Sequence, residues 1–213
     1  MRNQPLTRLS GTVAPLLRSN VDTDAIAPSR KMTVDSSGLS EMLFREWRDN
    51  DPDFILNRPE RARSVFMIAL DNFGCGSSRE TAVWALRDHG FRCVIAPSFG
   101  AIFQSNCTRN GVAPIVLERA LVEEFGTAAE ADPELILELD LPGQRLSSSG
   151  GFTAEFAIDP GAKRMLVEGL DGVGLTLTRR HEIELFREED RAARPWVYEL
   201  GQSGSASVDN GSG

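Results

Sequence analysis

The stretch Ser64-Val-Phe-Met-Ile-Ala-Leu70-Asp-Asn-Phe-Gly-Cys-Gly-Ser-Ser-Arg-Glu80 passes from an almost unbroken apolar run into a glycine-rich turn and then into charge. Residues 64–70 have the form of a short strand buried on both faces, because no polar side chain alternates with the apolar ones. Over 80–89, Ala82, Val83, Ala85 and Leu86 recur at helical spacing, and Gly90 ends that helix as a C′ residue does. Outward from there, 93–96 reads as a strand, 99–106 as a short helix and 112–117 as another strand. Such a βαβαβ rhythm implies parallel strands joined by helical crossovers. On either side, 7–17, 134–141 and 152–158 read as β, the last two forming a hairpin about a turn at 142–151 (PGQRLSSSGG). Segments 40–48 and 179–191 read as amphipathic helices. The expectation is one α/β domain over residues 1–200, with a mixed, largely parallel sheet core. Residues 201–213 (GQSGSASVDNGSG) have too little apolar surface to offset their ordering entropy and read as a disordered tail.

Composition bounds the function. The chain has 213 residues, 41% hydrophobic and 25% charged, enough to build a globular core without staples. A net charge of −8 with no basic block excludes nucleic acid and an anionic membrane surface as partners. No apolar run approaches the ~20 residues of a membrane span, and the polar N-terminus lacks a signal peptide's apolar segment. The three cysteines, Cys75, Cys93 and Cys107, contain no C-x-x-C pair. They support no zinc or iron–sulfur site held by this chain alone and fit a reduced, cytoplasmic setting. A function that needs a cluster must take it from another chain.

The glycine-rich turn is the most informative place for chemistry. Ser77 with Glu80 matches a capping box, which by itself accounts for both residues. Arg79 does not fit that account: a cation in a first helical turn opposes the macrodipole unless an anion is held beside it. A carboxylate would take both the loop N–H groups and the guanidinium fork. The glycine spacing is neither a dinucleotide fingerprint nor a P-loop, so a small carboxylic acid fits better than a nucleotide. A second segment, Asn20-Val-Asp-Thr-Asp24, allows Asx turns, and equally allows two carboxylates that bind a cation or orient a base. In a third, 97–111, Ser98 reads as an N-cap and Phe99, Ile102 and Phe103 as a helical stripe. Asn106 and Asn110-Gly111 there read as turn or C-cap residues. The cysteines read as small buried hydrophobes, and His89 and His181 as structural.

Taken in order, Asn20-Val-Asp-Thr-Asp24, Asn72-Phe-Gly-Cys-Gly-Ser-Ser-Arg-Glu80 and Ser98-Phe…Ile102-Phe…Asn106-Cys107…Asn110-Gly111…Pro114-Ile115 resemble the small subunits of 3-isopropylmalate dehydratase, relatives of the mobile fourth domain of aconitase. Ile158-Asp-Pro160, Glu168-Gly-Leu-Asp171 and Gly174-Leu-Thr-Leu177 extend the likeness over residues 7–196. The resemblance implies a swivelling β/β/α domain that caps a separate large subunit, which carries a [4Fe–4S] cluster on its own cysteines. It implies isomerisation of a small dicarboxylic acid, 2-isopropylmalate, to 3-isopropylmalate through 2-isopropylmaleate in leucine biosynthesis. In that scheme the cluster iron acts as a Lewis acid on the leaving hydroxyl. Carried over by motif, Ser77 removes the proton next to a carboxylate. Arg79, with Ser78 and Gly76, binds a carboxylate, and Asp24 orients catalytic groups. Ile26, Pro28 and Arg30 border the pocket for the substrate's side chain. The chain departs from the pattern at Thr81, where the family has His, and at Gly100, often Ala. Its loop 25–30 resembles a branch acting on citraconate, dimethylmalate or homoaconitate. Two alternatives accompany this reading: the small subunit of such a related hydro-lyase, and a non-catalytic carboxylate-binding regulatory domain.

Overall fold

The two halves of β1 (Arg8–Leu16) have different surroundings. Exposed and half-buried residues dominate Arg8 to Thr12, whereas Val13, Ala14, Pro15 and Leu16 are all buried. The first half pairs antiparallel with β5 (Ile136–Asp140), running from Arg8↔Asp140 to Thr12↔Ile136. From Val13↔Phe66 onward, β1 pairs parallel with β2 (Phe66–Ala69). Pro15 therefore sits where β1 has only β2 as a ladder neighbour, so its missing N–H need not interrupt a second ladder.

These features belong to a computed structural model that describes residues 3–28 and 38–199. The chain divides into two compact units, Met1–Gly172 and Val173–Gly213. The tail at 201–213 lies outside the described residues. In the first unit, α3 (Thr81–His89) joins β2 to β3 (Cys93–Ala96), and α4 (Ala101–Arg109) joins β3 to the edge strand β4 (Ala113–Val116). The sheet has seven strands in the order β4-β3-β2-β1-β5-β6-β7. Pairings are parallel from β4 to β1 and antiparallel from β1 to β7, confirming the mixed α/β class.

Period-two alternation sends neighbouring residues of each parallel strand to opposite faces. Met67, Ala69, Val94 and Ala96 pack with α3 and α4; Phe66, Ile68, Cys93 and Ile95 pack with α5 (Arg119–Ala131). Burial on both faces is why these strands read as continuous apolar runs. No helix among the described residues is long and apolar enough to cross a membrane.

Three local expectations need correction. The segment read as a turn at 142–151 contains β6 (Arg145–Ser148), paired with both β5 and β7 (Thr153–Glu155). A three-stranded meander replaces the hairpin; its middle strand has only Leu146 to bury, and serine and glycine mask the alternation. The helix expected over 40–48 is broken at Phe44, whose φ of 51° separates a 3₁₀ turn (Leu39–Met42) from α2 (Arg45–Asn50). Phe44 N–H donates to Ile26 O (2.8 Å), and its buried ring stacks on Trp47 with centroids 5.4 Å apart. Ile102 is 53% exposed, because Phe103, Asn106 and Cys107 form the inward stripe of α4.

Two of the longer helices, α5 and α6 (Pro160–Glu168), were not anticipated. Gly126 lowers the helical signal of α5, yet a Cβ there would lie 2.4 Å from the Leu17 side chain, so the glycine permits close packing. In α6 the Asp159 side chain caps Ala162 N–H (2.9 Å) and proline occupies the first turn, a start signal within the Ile158-Asp-Pro160 motif. After α7 (Gly172–Leu177) come α8 (Arg180–Ala193), the helix expected over 179–191, and α9 (Pro195–Glu199), both in the second unit. Arg180 pairs with Glu184 at 2.8 Å, and Tyr198 Oη donates to Asp190 (2.8 Å).

Arg61 closes the sheet at the point where β1 changes partner. Its side chain is 1% exposed and donates to Val13 O (2.7 Å), Ala129 O and, at 3.5 Å, Pro133 O. Burial lowers its pKa, yet it remains cationic, and it meets the negative end of α5. Arg61→Leu keeps apolar bulk but strips donors from buried carbonyls. It should lower unfolding stability by about 3 kcal/mol, read as a shift of the urea midpoint. An unchanged midpoint would mean that the joint holds without the guanidinium.

Candidate active site

The three segments singled out for chemistry leave the carboxyl ends of adjacent parallel strands, 17–24 after β1, 70–80 after β2 and 97–100 after β3. In open α/β sheets that edge is where ligands bind. Backbone bonds lace the segments together. Gly74 N–H donates to Val21 O (2.7 Å), Thr23 N–H to Cys75 O (2.9 Å) and Asn20 N–H to Asp71 O (2.8 Å). On the other flank, Phe73 N–H donates to Ser98 O (3.1 Å) and Gly100 N–H to Phe73 O (2.9 Å). Two glycines make this closeness possible. A Cβ on Gly74, whose φ is +73°, would lie 2.1 Å from the Phe103 ring, and one on Gly100 would lie 2.5 Å from Gly74 O.

The capping box does not form. Helix α3 begins at Thr81, its N-cap Glu80 makes no side-chain cap bond, and Ser77 lies upstream of the first turn. The Glu80 carboxylate instead accepts from Asn110 Nδ2 (3.1 Å), and Asn110 Oδ1 accepts from Trp84 Nε1 (3.0 Å). Ser98 is not an N-cap either: Gly100 precedes α4, and the Ser98 hydroxyl accepts from Asn72 N–H (2.8 Å). Arg79 also lies outside the helix, so the dipole argument for its anion lapses. Its anion is Asp24, to which Nη2 donates in a direct ion pair.

Ser77 is the centre of the arrangement. Its Oγ accepts from Arg79 Nε (2.8 Å) and shares a 2.8 Å hydrogen bond with Thr23 Oγ1. Ser77 N–H donates to the same Thr23 oxygen (3.1 Å). Arg79 Nη1 is buried with no hydrogen-bond partner, leaving one guanidinium nitrogen uncommitted beside the serine. Asp24 is 61% exposed on its side chain and Arg79 31%, so the pair borders solvent.

Ser77, Arg79 and Asp24 thus come together. Gly76, at φ +95°, passes close to Asp22 and Thr23, and Ser78 is exposed with its carbonyl accepting from Asn106 Nδ2 (3.3 Å). Ile26 and Pro28 are buried, Ile26 completely, so Ile26 can shape a pocket only by anchoring the loop and not by touching a substrate. Arg30 lies outside the described residues. Sequence reasoning passed over Thr23 and gave Asn106 and Asn110 only turn roles. Asn110 is indeed the C-cap of α4, but it and Asn106 also brace residues 78–80. The polar residues sharing the quoted motifs were the available signal.

Burial pushes the thiols of Cys93 and Cys107 up; partial burial, helped by Asp22, does the same at Cys75. Cys93 and Cys107 are buried and Cys75 half-buried. No group of three potential metal ligands occurs among the described residues.

The family model described as Aconitase C-terminal domain matches residues 3–120. The 3-isopropylmalate dehydratase small subunit of Cupriavidus necator is 45% identical over 204 residues, spanning 92% of this chain and 98% of that protein. That of Rhodopseudomonas palustris (strain BisA53) is 45% identical over 197 residues, spanning 90% and 98%. A crystal structure of 3-isopropylmalate dehydratase from Methanocaldococcus jannaschii superposes with a TM-score of 0.61 at 27% identity, covering 84% of this chain and 99% of that one. The chain therefore belongs to the aconitase C-terminal domain family, among the small subunits of 3-isopropylmalate dehydratase.

Proposed function

We propose that this chain is the small subunit of a hydro-lyase that isomerises 2-isopropylmalate to 3-isopropylmalate through 2-isopropylmaleate in leucine biosynthesis. It works in the cytoplasm and only with a large subunit that holds the [4Fe–4S] cluster. The observation that carries the reading is the uncommitted Nη1 of Arg79 beside a serine oxygen already flanked by hydrogen-bond donors. A buried donor without a partner costs about 1–3 kcal/mol, and a substrate carboxylate relieves that cost. Bound there, it brings its neighbouring C–H toward Ser77 Oγ, which removes the proton as the hydroxyl departs from the adjacent carbon. Serine is a weak base at its ordinary pKa, and donors around its oxygen favour the ionised form that can act. The hydroxyl is received outside this chain, whose cysteines do not fit a cluster. Asp24 holds the Arg79 fork in place and reaches solvent on the open side, where a large subunit would cap the site. Residues 1–200 act in this reading as the swivelling cap.

Ser77 does not cap α3, so Ser77→Ala should leave the melting temperature nearly unchanged. In the complex with the large subunit it should cut turnover of 2-isopropylmalate by about 10²–10⁴-fold. Activity within a few-fold of wild type would remove Ser77 as the base. Arg79→Lys replaces a planar fork by a mobile point charge. Steady-state kinetics should show kcat/KM lowered at least about tenfold. Wild-type kinetics with a large drop in melting temperature would make Arg79 a structural ion-pair residue.

A further inference from the structure

We infer that Thr23 is a positioning residue for Ser77: its hydroxyl fixes the serine oxygen and donates to it once the serine has lost its proton. The inference rests on the reading of Ser77 as the base. It follows from counting protons. A threonine hydroxyl has one hydrogen to give and two lone pairs to receive with. One lone pair of Thr23 takes Ser77 N–H at 3.1 Å, so the direction of that bond is settled. The Ser77 oxygen likewise receives Arg79 Nε–H at 2.8 Å. The remaining 2.8 Å contact joins the two hydroxyls, and either can donate while Ser77 is neutral. When the Ser77 proton has passed to bulk water, only Thr23 retains a hydrogen, and the bond must run from Thr23 to the serine oxygen. It is then charge-assisted, with Thr23 and Arg79 supplying two donors to one anionic oxygen. Such a bond strengthens as charge develops and weakens when the proton returns.

The placement of Thr23 suits this task. It is 1% exposed, so its hydroxyl does not exchange partners with water. Its N–H donates to Cys75 O (2.9 Å) and its carbonyl accepts from Ala27 N–H (3.0 Å), fixing the residue from both sides. The Asp22 side chain accepts from Ala25 N–H at 2.7 Å, holding the turn around it. Gly76 lies beside it at φ +95°, a left-handed conformation that favours glycine.

The test uses the reconstituted complex with the large subunit and 2-isopropylmalate, comparing wild type, Thr23→Val, Thr23→Ser and Ser77→Ala. Activity is lost as pH falls through the pKa of a base, and removing a donor to its anionic form raises that pKa. Thr23→Val, which keeps volume but loses the hydroxyl, should therefore move the acidic limb of kcat/KM to higher pH by about one unit. Below the shifted pKa it should also lower kcat by up to about tenfold, the share of ionised serine that a one-unit rise removes, with KM little changed. Thr23→Ser should restore both. If Thr23→Val lowers the melting temperature, Thr23→Ala supplies the same comparison without the branched side chain. An unmoved limb and unchanged kcat in the valine variant would overturn the inference while leaving Ser77 as the base. So would a serine variant as impaired as valine, which would assign the effect to the methyl group. Turnover that survives in Ser77→Ala would overturn both.

Discussion

One strand joins the parallel and antiparallel halves of a single sheet, and the change of partner between Thr12 and Val13 is the constraint on which the architecture depends. At that joint Arg61 donates from within the core to Val13 O of β1 and to Ala129 O in the last turn of α5. Burying a guanidinium is costly, so its presence marks a place where unpaired backbone would cost more. With β1 held, β2, β3 and β4 add in parallel on one side and the meander of β5, β6 and β7 on the other. The carboxyl edge of the parallel half then presents three loops side by side, and Asp24, Ser77 and Arg79, the groups proposed for catalysis, come from the first two.

Magnitudes decide what holds those loops. The Asp24–Arg79 pair connects residues far apart in sequence, but both partners reach solvent, and such pairs contribute about 0–1 kcal/mol. The frame is instead the set of backbone bonds among Val21, Thr23, Phe73, Gly74, Cys75, Ser98 and Gly100. Gly74 and Gly100 let those backbones approach, and Phe103 packs on Phe73 beneath with ring centroids 5.5 Å apart. The ion pair is thereby free to serve orientation: it aims a guanidinium whose Nε donates to Ser77 and whose Nη1 has no hydrogen-bond partner.

The parallel half was legible because strands buried on both faces and helices with one apolar stripe leave different periodicities. Residues 93–96 matched the observed strand end to end. The antiparallel half was less so. β6 has a single buried side chain to show for its position, and α5 conceals its pattern behind Gly126, a residue selected by contact with Leu17 and not by helix propensity. At the site, residue types singled out Arg79 and the resemblance supplied Ser77 and Asp24, but the local reasons given for Ser77 and Arg79 differ from the contacts found. The capping box suggested by Ser77 and Glu80 is a coincidence of spacing, since the helix begins one residue after Glu80. Glu80 is engaged by Asn110, a partner that local sequence cannot reveal because it arrives on another helix. Thr23 stayed hidden because a threonine between two aspartates reads as turn chemistry until the loop after β2 folds against it.

The two ends of the seven-stranded sheet are unlike its middle. β4, at one edge, carries Pro114 in register with Val94, and β7, at the other, spans only Thr153–Glu155. An open edge is a template on which another chain can add a strand, the first step toward aggregates. Proline removes a donor from one template, and brevity with two exposed polar side chains, Thr153 and Glu155, limits the other. Among the described residues, β4 exposes only Val116 and β7 buries only Ala154. The ends of this sheet offer little for a second copy to build upon.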